Sequence, residues 1–324
     1  MKKNLIIIGA GAWGSALSIG LSCKYKSIYL YSNKKEFELE KYHKHPKLDV
    51  KFKKNTFICY DIKKANNCDD VLIAVPSSAF YEALLNIKPY IHKQNIAWVT
   101  KGFDTKNKTF LHISFAKVLK NKKPCFISGP SFAYEVARNK PTLVAVSSKD
   151  DIVRKYWLDV IHTNSLRSYG NKDIIGAEIG AATKNVLAIA AGIANGLGYG
   201  ANTQAALITR GLAEMTRLGL AFGANLNTFM GLTGLGDLVL TASDNLSRNR
   251  QFGQNLVKNK KTTAALKAVG ATVEGYESCK FVLDLAREKN IEMPICIKVH
   301  EVIKEEITPN QAVKELMARS LIDE

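Results

Sequence analysis

Short apolar runs alternate with helical patterns along the first half of the chain. The runs have the length and apolar content of buried strands, and they lie at 4–8, 28–31, 71–75, 96–100, 125–128 and 142–147. Segments with helical periodicity separate most of them, among them 78–88 and 111–120. Because strands that alternate with helices form parallel βαβ units, the pattern predicts an α/β fold with a doubly wound, Rossmann-type sheet.

The pattern changes near residue 176, where the strand-like runs stop and long helical segments begin. Residues 178–197 are apolar around almost the whole helix circumference, which predicts a buried helix. A length of 324 residues also favours two hydrophobic cores over one. We therefore expect an α/β domain at 1–175 followed by an all-helical domain at 176–324.

Positive charge is concentrated in the first half. Of the net +17, residues 1–175 carry 30 Lys and Arg against 14 Asp and Glu, whereas residues 176–324 carry 16 against 15. A basic surface can attract nucleic acid or a membrane. However, Lys outnumbers Arg 37 to 9 and the lysines are dispersed along the chain, which favours a solvated surface. We expect no nucleic-acid partner.

No segment has the pattern of a membrane span or an export signal. The apolar run at 5–8 ends at Gly9, well short of a signal-peptide core, and no run reaches the about 18 apolar residues that a span needs. The six cysteines contain no C-x-x-C pair, and the histidines lack zinc-site spacing. We expect a cytoplasmic protein with reduced thiols, no membrane span and no bound metal.

The first strand-like run leads directly into a glycine motif, Gly9-Ala10-Gly11-Ala12-Trp13-Gly14. In dinucleotide-binding folds Gly9 would permit the tight turn, Gly11 would let the backbone approach the pyrophosphate, and Gly14 would let the helix pack close to the strand. The following helix N-terminus offers unpaired N–H groups to the phosphates. A glycine turn without a ligand is the alternative, but the position between a strand and a helix favours a bound dinucleotide.

The end of the second strand-like run bears on the choice between NAD and NADP. An acidic residue that binds the ribose 2′-hydroxyl usually stands there, but this chain has Ser32-Asn33-Lys34-Lys35. Lys34 is therefore our candidate for the 2′-phosphate of NADP. We expect that NADP is accepted as well as NAD.

Two further segments follow the ends of strand-like runs, where ligands bind in open α/β sheets. Lys101 comes after 96–100, and the segment 128–132 follows the next run. For Lys101, a role in ligand binding and a solvated position in a loop are equally good interpretations. We expect Ser131 to cap a helix that begins after it.

Polar residues interrupt the apolar helix of the second half. Lys184 and Asn185 lie in its middle, and an unpaired buried ammonium is very costly. Either Lys184 extends to the surface, or it lines a polar cleft where it can transfer a proton. The second interpretation accounts better for a lysine in this position.

The segment 231–241 holds Asp237 between glycine and aliphatic residues, with Thr241 four residues later on the same helical face. Helix capping is the competing role for Asp237. Shortly afterwards comes Ser247-Arg248-Asn249-Arg250. Guanidinium and amide groups bind phosphate oxygens in fixed geometry, so this segment is a candidate phosphate site.

Taken together, these motifs resemble the soluble, NAD(P)-dependent glycerol-3-phosphate dehydrogenases of bacteria. The resemblance extends over nearly the whole chain. The segments that carry it are 9–14, 100–102, 129–132, 182–186, 207–215, 234–238, 247–250 and 273–276. Several of them are long and undegenerate, so the resemblance is specific.

The resemblance implies a role for individual residues. Lys184 would be the general acid/base that exchanges a proton with the C2 oxygen, assisted by Asn185, Asp237, Thr241 and Lys101. The implied substrate-binding residues are Lys101, Gly129, Ser131, Lys184, Asp237, Ser247, Arg248 and Asn249. Besides Gly9, Gly11, Gly14 and Lys34, the implied cofactor-binding residues are Ala12, Trp13, Lys101, Ala133, Arg248, Thr272 and Glu274.

The resemblance further implies reduction of dihydroxyacetone phosphate to sn-glycerol 3-phosphate for glycerophospholipid synthesis, by a homodimer. It places the dinucleotide in the first domain and the substrate in the second. Departures from the family pattern are mild: Ser131 replaces a common threonine, Trp13 a tyrosine or phenylalanine, and Thr272 an aliphatic residue. Alternatives are a hydroxyacid or 6-phosphogluconate type of dehydrogenase, and a non-catalytic NAD(P) sensor or nucleic-acid binder.

Overall fold

The computed structural model describes residues 3–35, 37–259 and 261–319. The chain divides into two compact units, Met1–Glu178 and Ile179–Glu324. The first unit is built on a sheet and the second is helical.

The first unit contains an eight-stranded sheet in the order β3-β2-β1-β4-β5-β6-β7-β8. Its strands are β1 Lys3–Ile8, β2 Tyr25–Tyr31, β3 Thr56–Cys59, β4 Asp70–Ile73, β5 Asn95–Trp98, β6 Phe126–Ser128, β7 Thr142–Ser147 and β8 Leu166–Asn171. Its helices are α1 Ala12–Gly20, α2 Phe37–Tyr42, α3 Ser77–Ile87, α4 Leu111–Val118, α5 Ala133–Ala137 and α6 Asp151–Ile161, with 3₁₀ turns at Ile62–Asn67 and Lys88–Tyr90. The strand order with β1 at the centre is that of a doubly wound sheet, as predicted.

One strand pair departs from the predicted parallel sheet. All neighbouring strands are parallel except β6 and β7, which pair antiparallel through Ile127 and Val146. A parallel return needs a crossover that runs back along the sheet, usually a helix. The connection between these strands contains only the short helix α5, and the chain enters β7 in the opposite direction instead.

The sequence pattern missed the two strands at the sheet edges, β3 and β8. Central strands are apolar on both faces, as in β1, where Leu5, Ile6 and Ile7 are fully buried. In contrast, β3 has only four residues, and β8 is mostly polar and partly exposed. Edge strands of this kind lack the continuous apolar run on which the prediction rested.

The second unit is a set of packed helices. A long helix, α7 Ile174–Gly196, leads into it, and the later helices are α8 Ala201–Ala221, α9 Leu226–Met230, α10 Asp237–Ser243, α11 Arg248–Lys258, α12 Thr262–Val269, α13 Glu274–Glu288, α14 Pro294–Ile303 and α15 Pro309–Met317, with a π turn at Leu232–Gly236. In the described part of the chain, α7 alone is long and apolar enough to cross a membrane, and 89% of its apolar window is buried inside the protein. It is therefore a core helix, as its pattern predicted.

Two glycines bring α7 and α11 into backbone contact. A Cβ atom added at Gly192 of α7 would lie 2.0 Å from the carbonyl oxygen of Arg250. One added at Gly253 of α11 would lie 2.1 Å from the carbonyl oxygen of Ile189. Since neither backbone can move away without separating the helices, the two glycines fix the start of α11 beside the middle of α7.

A buried carboxylate joins α8 to α14. Glu214 of α8 is 1% exposed; its Oε1 accepts a hydrogen bond from the Ile295 N–H at 2.7 Å and its Oε2 accepts one from the Cys296 N–H at 3.2 Å. The residue before α14, Met293, provides no side-chain cap. Burial raises the pKa of Glu214, whereas the two N–H groups act in the opposite direction. Glu214 therefore supplies the missing cap from a neighbouring helix.

Replacing Glu214 with alanine is expected to lower the free energy of unfolding by about 2–4 kcal/mol, because two buried N–H groups lose their acceptor. Glu214→Gln keeps one acceptor and should cost about half as much. Urea denaturation measures both, with Glu288→Ala, a change in an exposed side chain, as the control that changes stability little. A Glu214→Ala protein as stable as the control would show that the cap contributes nothing.

Candidate active site

The glycine motif forms the turn between β1 and α1. Gly9 has φ +120°, and a Cβ atom there would lie 2.5 Å from the Ala74 carbonyl oxygen. A Cβ atom at Gly14 would lie 2.0 Å from the Gly9 carbonyl oxygen, whereas one at Gly11 would meet no atom within 4 Å. Gly9 and Gly14 are thus required by the local backbone, and Gly11 leaves open space at the start of a helix that has no side-chain cap. This combination fits the pyrophosphate of a dinucleotide.

Other predicted cofactor residues surround this turn. Ala12 and Trp13 are the first two residues of α1, and Ala133 begins α5. Trp13 and Ala133 are partly buried and pack against the same hydrophobic cluster of the first unit. At the end of β2, Lys34 is exposed and its N–H donates to Ser32 Oγ at 3.5 Å. Residues 32–35 contain no carboxylate.

Lys101, Gly129 and Ser131 lie together beyond the ends of β5 and β6. Lys101 Nζ donates to the Gly129 carbonyl oxygen at 3.1 Å, and Ser131 Oγ donates to the same oxygen at 3.0 Å. Gly129 has φ +138°, a backbone conformation that favours glycine. Lys101 is partly buried and its ammonium is bound to this turn, which favours a site residue over a solvated loop lysine.

The prediction that Ser131 caps a helix is wrong. The residue at the cap position of α5 is Phe132, and no side chain accepts a hydrogen bond there. The Ser131 hydroxyl is engaged with Gly129 instead. The local reason is that α5 begins one residue later than the capping pattern requires.

In the second unit, Lys184 is 4% exposed in the middle of α7. Its Nζ donates to Asp237 Oδ1 at 2.6 Å and to Thr241 Oγ1 at 2.8 Å. Thr241 Oγ1 in turn donates to the Asp237 carbonyl oxygen at 2.6 Å. An ammonium and a carboxylate in direct contact offset much of each other's cost of burial. The interpretation in which Lys184 extends to the surface is therefore wrong.

Asp237 is held in place by the turn before it. It is the first residue of α10, and the cap position belongs to Gly236, which provides no side-chain cap. The competing role of Asp237 as a helix cap is thus not adopted. Thr241 follows one helical turn later, so both side chains meet Lys184 on the same face, as the four-residue spacing predicted.

A chain of amides and a carboxylate continues from Lys184 to α11 and α13. Asn185 Nδ2 donates to Glu274 Oε2 at 3.0 Å, and Asn249 Nδ2 donates to Asn185 Oδ1 at 2.9 Å. The Gly275 N–H donates to Asn249 Oδ1 at 2.9 Å. Arg248, half-exposed, has Nη2 3.9 Å from Glu274 Oε1. The structure thus brings four predicted residues, Asn185, Arg248, Asn249 and Glu274, into one polar cluster.

Two further predicted residues, Ser247 and Thr272, lie at or just before the starts of α11 and α13. Ser247 is buried at the cap position of α11, and its Oγ accepts from the Arg250 N–H at 3.2 Å. Thr272 is exposed just before α13. No group of three or more His, Cys, Asp or Glu residues that could hold a metal ion occurs in 3–35, 37–259 and 261–319.

Family models match both halves of the chain. The model for the N-terminus of NAD-dependent glycerol-3-phosphate dehydrogenase matches residues 4–153, and the model for its C-terminus matches residues 173–314. The chain belongs to this family. A relative from Vesicomyosocius okutanii, named glycerol-3-phosphate dehydrogenase (NAD(P)+), is 52% identical over 98% of both chains. One of the same name from Francisella tularensis subsp. novicida is 42% identical over the full length of both.

A solved structure of a glycerol-3-phosphate dehydrogenase from Coxiella burnetii has the same fold. It superposes with a TM-score of 0.92 and 41% identity, and the match covers 98% of this chain and 99% of that one. Membership of the glycerol-3-phosphate dehydrogenase family decides against the hydroxyacid and 6-phosphogluconate alternatives. It also confirms the resemblance drawn from the sequence motifs.

Sequence reasoning missed the glycines that bring the predicted site residues together. A Cβ atom at Gly275 would lie 2.5 Å from the Asn185 carbonyl oxygen, so this glycine lets α13 approach α7. Gly192 and Gly253 do the same for α11. Glycine inside a helical pattern lowers helix stability. Its presence there could have indicated that another backbone approaches the helix closely.

Proposed function

We propose that this protein reduces dihydroxyacetone phosphate to sn-glycerol 3-phosphate with NAD(P)H. The observation that carries the proposal is the buried contact of Lys184 with Asp237 and Thr241, in a chain that is 52% identical over 98% of its length to a glycerol-3-phosphate dehydrogenase (NAD(P)+). The Lys184 ammonium can donate a proton, and Asp237 and Thr241 hold it in a fixed position.

Lys184 acts on the oxygen of the substrate ketone. NAD(P)H supplies the hydride when it is bound. As negative charge develops on the ketone oxygen, the Lys184 ammonium stabilises it and then donates the proton. Asp237 Oδ1 holds the ammonium in place, and Thr241 fixes the direction of Nζ through its own bond to the helix backbone.

The phosphate of the substrate is bound at the start of α11. Arg248 is half-exposed and able to form paired hydrogen bonds to phosphate oxygens. Asn249 and Ser247 stand beside it, with Asn249 also holding Asn185. Lys101, Gly129 and Ser131 are the further substrate contacts, since their shared turn offers an ammonium and a hydroxyl. Binding the phosphate at fixed points orients the ketone for reaction.

The cofactor is held by the first unit, around Gly9, Gly11 and Gly14. Gly11 leaves room for the pyrophosphate, and α1 directs its N–H groups there. The remaining proposed cofactor contacts are Ala12, Trp13, Lys34, Lys101, Ala133, Arg248, Thr272 and Glu274. We assign most cofactor contacts to residues 1–175, and Lys184 with most substrate contacts to residues 176–324. Family resemblance supports a cytoplasmic homodimer that feeds glycerophospholipid synthesis.

The proposal is tested by NADPH oxidation with dihydroxyacetone phosphate, followed as loss of NADPH absorbance. Purified, folded protein should show turnover that depends on both the ketone and its phosphate. Dihydroxyacetone without the phosphate is the matched control and should react far more slowly. Turnover with a 2-keto acid but not with dihydroxyacetone phosphate would contradict the proposal.

The charge at the end of β2 predicts the cofactor range. Because residues 32–35 offer lysines and no carboxylate, NADPH should be used with kcat/KM at least comparable to that of NADH. Lys34→Glu should lower kcat/KM for NADPH by about tenfold, the factor for about 1.4 kcal/mol, and leave NADH nearly unaffected. The prediction is wrong if wild-type kcat/KM is tenfold higher with NADH.

A further inference from the structure

Two arginines are buried in the described part of the chain, and they differ in their partners. Arg154 is 8% exposed and is bound to the Asp151 carboxylate and the Ser148 carbonyl oxygen. Arg250 is 5% exposed, and its Nε is buried without a hydrogen-bond partner. Within 3–35, 37–259 and 261–319, no Asp or Glu carboxylate lies within salt-bridge distance of Arg250.

A guanidinium has five donors and a permanent charge. Burial of such a group is costly unless an anion compensates it. The side-chain contact of Arg250 is from Nη1 to Asn245 Oδ1, which is a neutral amide oxygen. Asp244 lies one residue away along the chain, but its Oδ1 accepts from the Leu246 N–H at 2.7 Å. Among the residues that the structure describes, Arg250 is therefore buried without a carboxylate in direct contact.

Several donors of α11 converge on Asn245. Its Oδ1 accepts from Arg250 Nη1 and from Gln254 Nε2, the latter at 3.1 Å. Its main-chain oxygen accepts from Gln251 Nε2 at 2.6 Å. Arg250, Gln251 and Gln254 lie within little more than one turn of the same helix. Asn245 itself is exposed, in the loop before α11, so its side chain can turn out to solvent.

We propose that Arg250, with Gln251 and Gln254, forms a binding site for a phosphate-type oxyanion that displaces the Asn245 side chain. A tetrahedral anion offers several oxygens to donors that converge from different side chains. Arg248, two residues earlier on the helix, faces Glu274 instead. The site therefore uses other side chains than the proposed contacts of the substrate phosphate, and it does not depend on the proposed function.

The site is tested by the melting temperature of the protein without substrate or cofactor. Inorganic phosphate should raise Tm by about 2–4 °C at ten times its dissociation constant, beyond the effect of chloride at equal ionic strength. Arg248→Gln should keep this response. Arg250→Gln should lose it.

Asn245→Asp tests the same site without removing a buried side chain, in case Arg250→Gln does not fold. The new carboxylate would stand where Asn245 Oδ1 meets Arg250 and would act as an internal counter-ion. This variant should melt at a higher temperature than wild type in phosphate-free buffer and should gain nothing from phosphate. Asn245→Ala, the matched control, should still respond.

Glycerol 3-phosphate, added to Arg248→Gln, distinguishes the source of the anion. Stabilisation by inorganic phosphate alone identifies the free ion as the ligand, and equal stabilisation by both identifies the phosphoryl group; each supports the site. The proposal is overturned if wild type responds no more to phosphate than to chloride. It is equally overturned if Arg248→Gln abolishes the response while Asn245→Asp retains it, because the phosphate then binds at the substrate contacts.

Discussion

Replacing Lys184 with alanine is expected to lower kcat for dihydroxyacetone phosphate reduction by about 10²–10⁴-fold, the usual contribution of general acid–base catalysis. The ammonium is the one group in its cluster with Asp237 and Thr241 that can both stabilise an oxyanion and donate a proton. Cofactor binding depends on the glycine turn of the first unit instead. The dissociation constant of NADPH, measured by fluorescence titration, should therefore stay close to that of wild type.

The variant leaves Asp237 buried without its cation, which also destabilises the fold. Lys184→Met with Asp237→Leu removes both charges and separates lost chemistry from lost folding, because the double variant should be more stable than Lys184→Ala and still inactive. Lys298→Ala is the matched control, since Lys298 is also paired with carboxylates in the second unit, Glu301 and Glu315. Its kcat should equal that of wild type. A Lys184→Ala enzyme with near wild-type kcat would refute the assigned role.

The candidate site could be located in the sequence because its residues violate the rules of a core. Lys184 and Asp237 stand in apolar surroundings where a lysine or an acid is rarely tolerated alone, so each implied a partner. The spacing of Asp237 and Thr241 placed them on one helical face, and the structure confirms this. Polar residues at apolar positions therefore carried most of the usable signal.

The sequence did not predict contacts that depend on how distant segments pack. The bond from Asn249 to Asn185 depends on the approach of α11 to α7, which the backbone contact at Gly192 holds.

Ser131 shows a local limit instead. It satisfied the rule for a cap, yet its hydroxyl binds the carbonyl oxygen of Gly129, two residues earlier. A capping rule is a weak guide where another local hydrogen bond competes for the same hydroxyl.

The sequence pattern missed the edge strands β3 and β8 for a different reason. An edge strand is stabilised by its one neighbour and by the face it covers, and its residues need not be apolar. Leu166–Asn171 pairs with β7 along its whole length although it reads as a polar segment. The central strands, buried on both faces, were predicted because burial leaves a continuous apolar run in the sequence.

Replacing Asp70 with alanine is expected to lower the free energy of unfolding by about 3–5 kcal/mol. Asp70 is fully buried at the start of β4 and accepts hydrogen bonds from the hydroxyls of Tyr25 and Tyr156 and from Asn95 Nδ2. Tyr25 begins β2, Asn95 begins β5, and Tyr156 lies on α6. Burial and the nearby Asp70 carboxylate raise the pKa of both phenols, so both remain protonated donors. The variant leaves the buried hydroxyl of Tyr25, and the partly buried Tyr156 hydroxyl and Asn95 amide, without this acceptor.

Asp69→Ala is the matched control, because Asp69 is the preceding residue, is exposed, and accepts one hydrogen bond, from the Asn4 N–H at 2.8 Å. It should cost no more than about 1 kcal/mol in urea denaturation. Since Asp70 lies at the amino end of its strand, whereas ligands bind beyond the carboxyl ends, folded Asp70→Ala should keep wild-type kcat. Equal losses of stability in the two variants would show that the three hydrogen bonds to Asp70 contribute no more than the single one to Asp69. A loss of kcat in the folded Asp70→Ala protein would show instead that this edge of the sheet acts on the site.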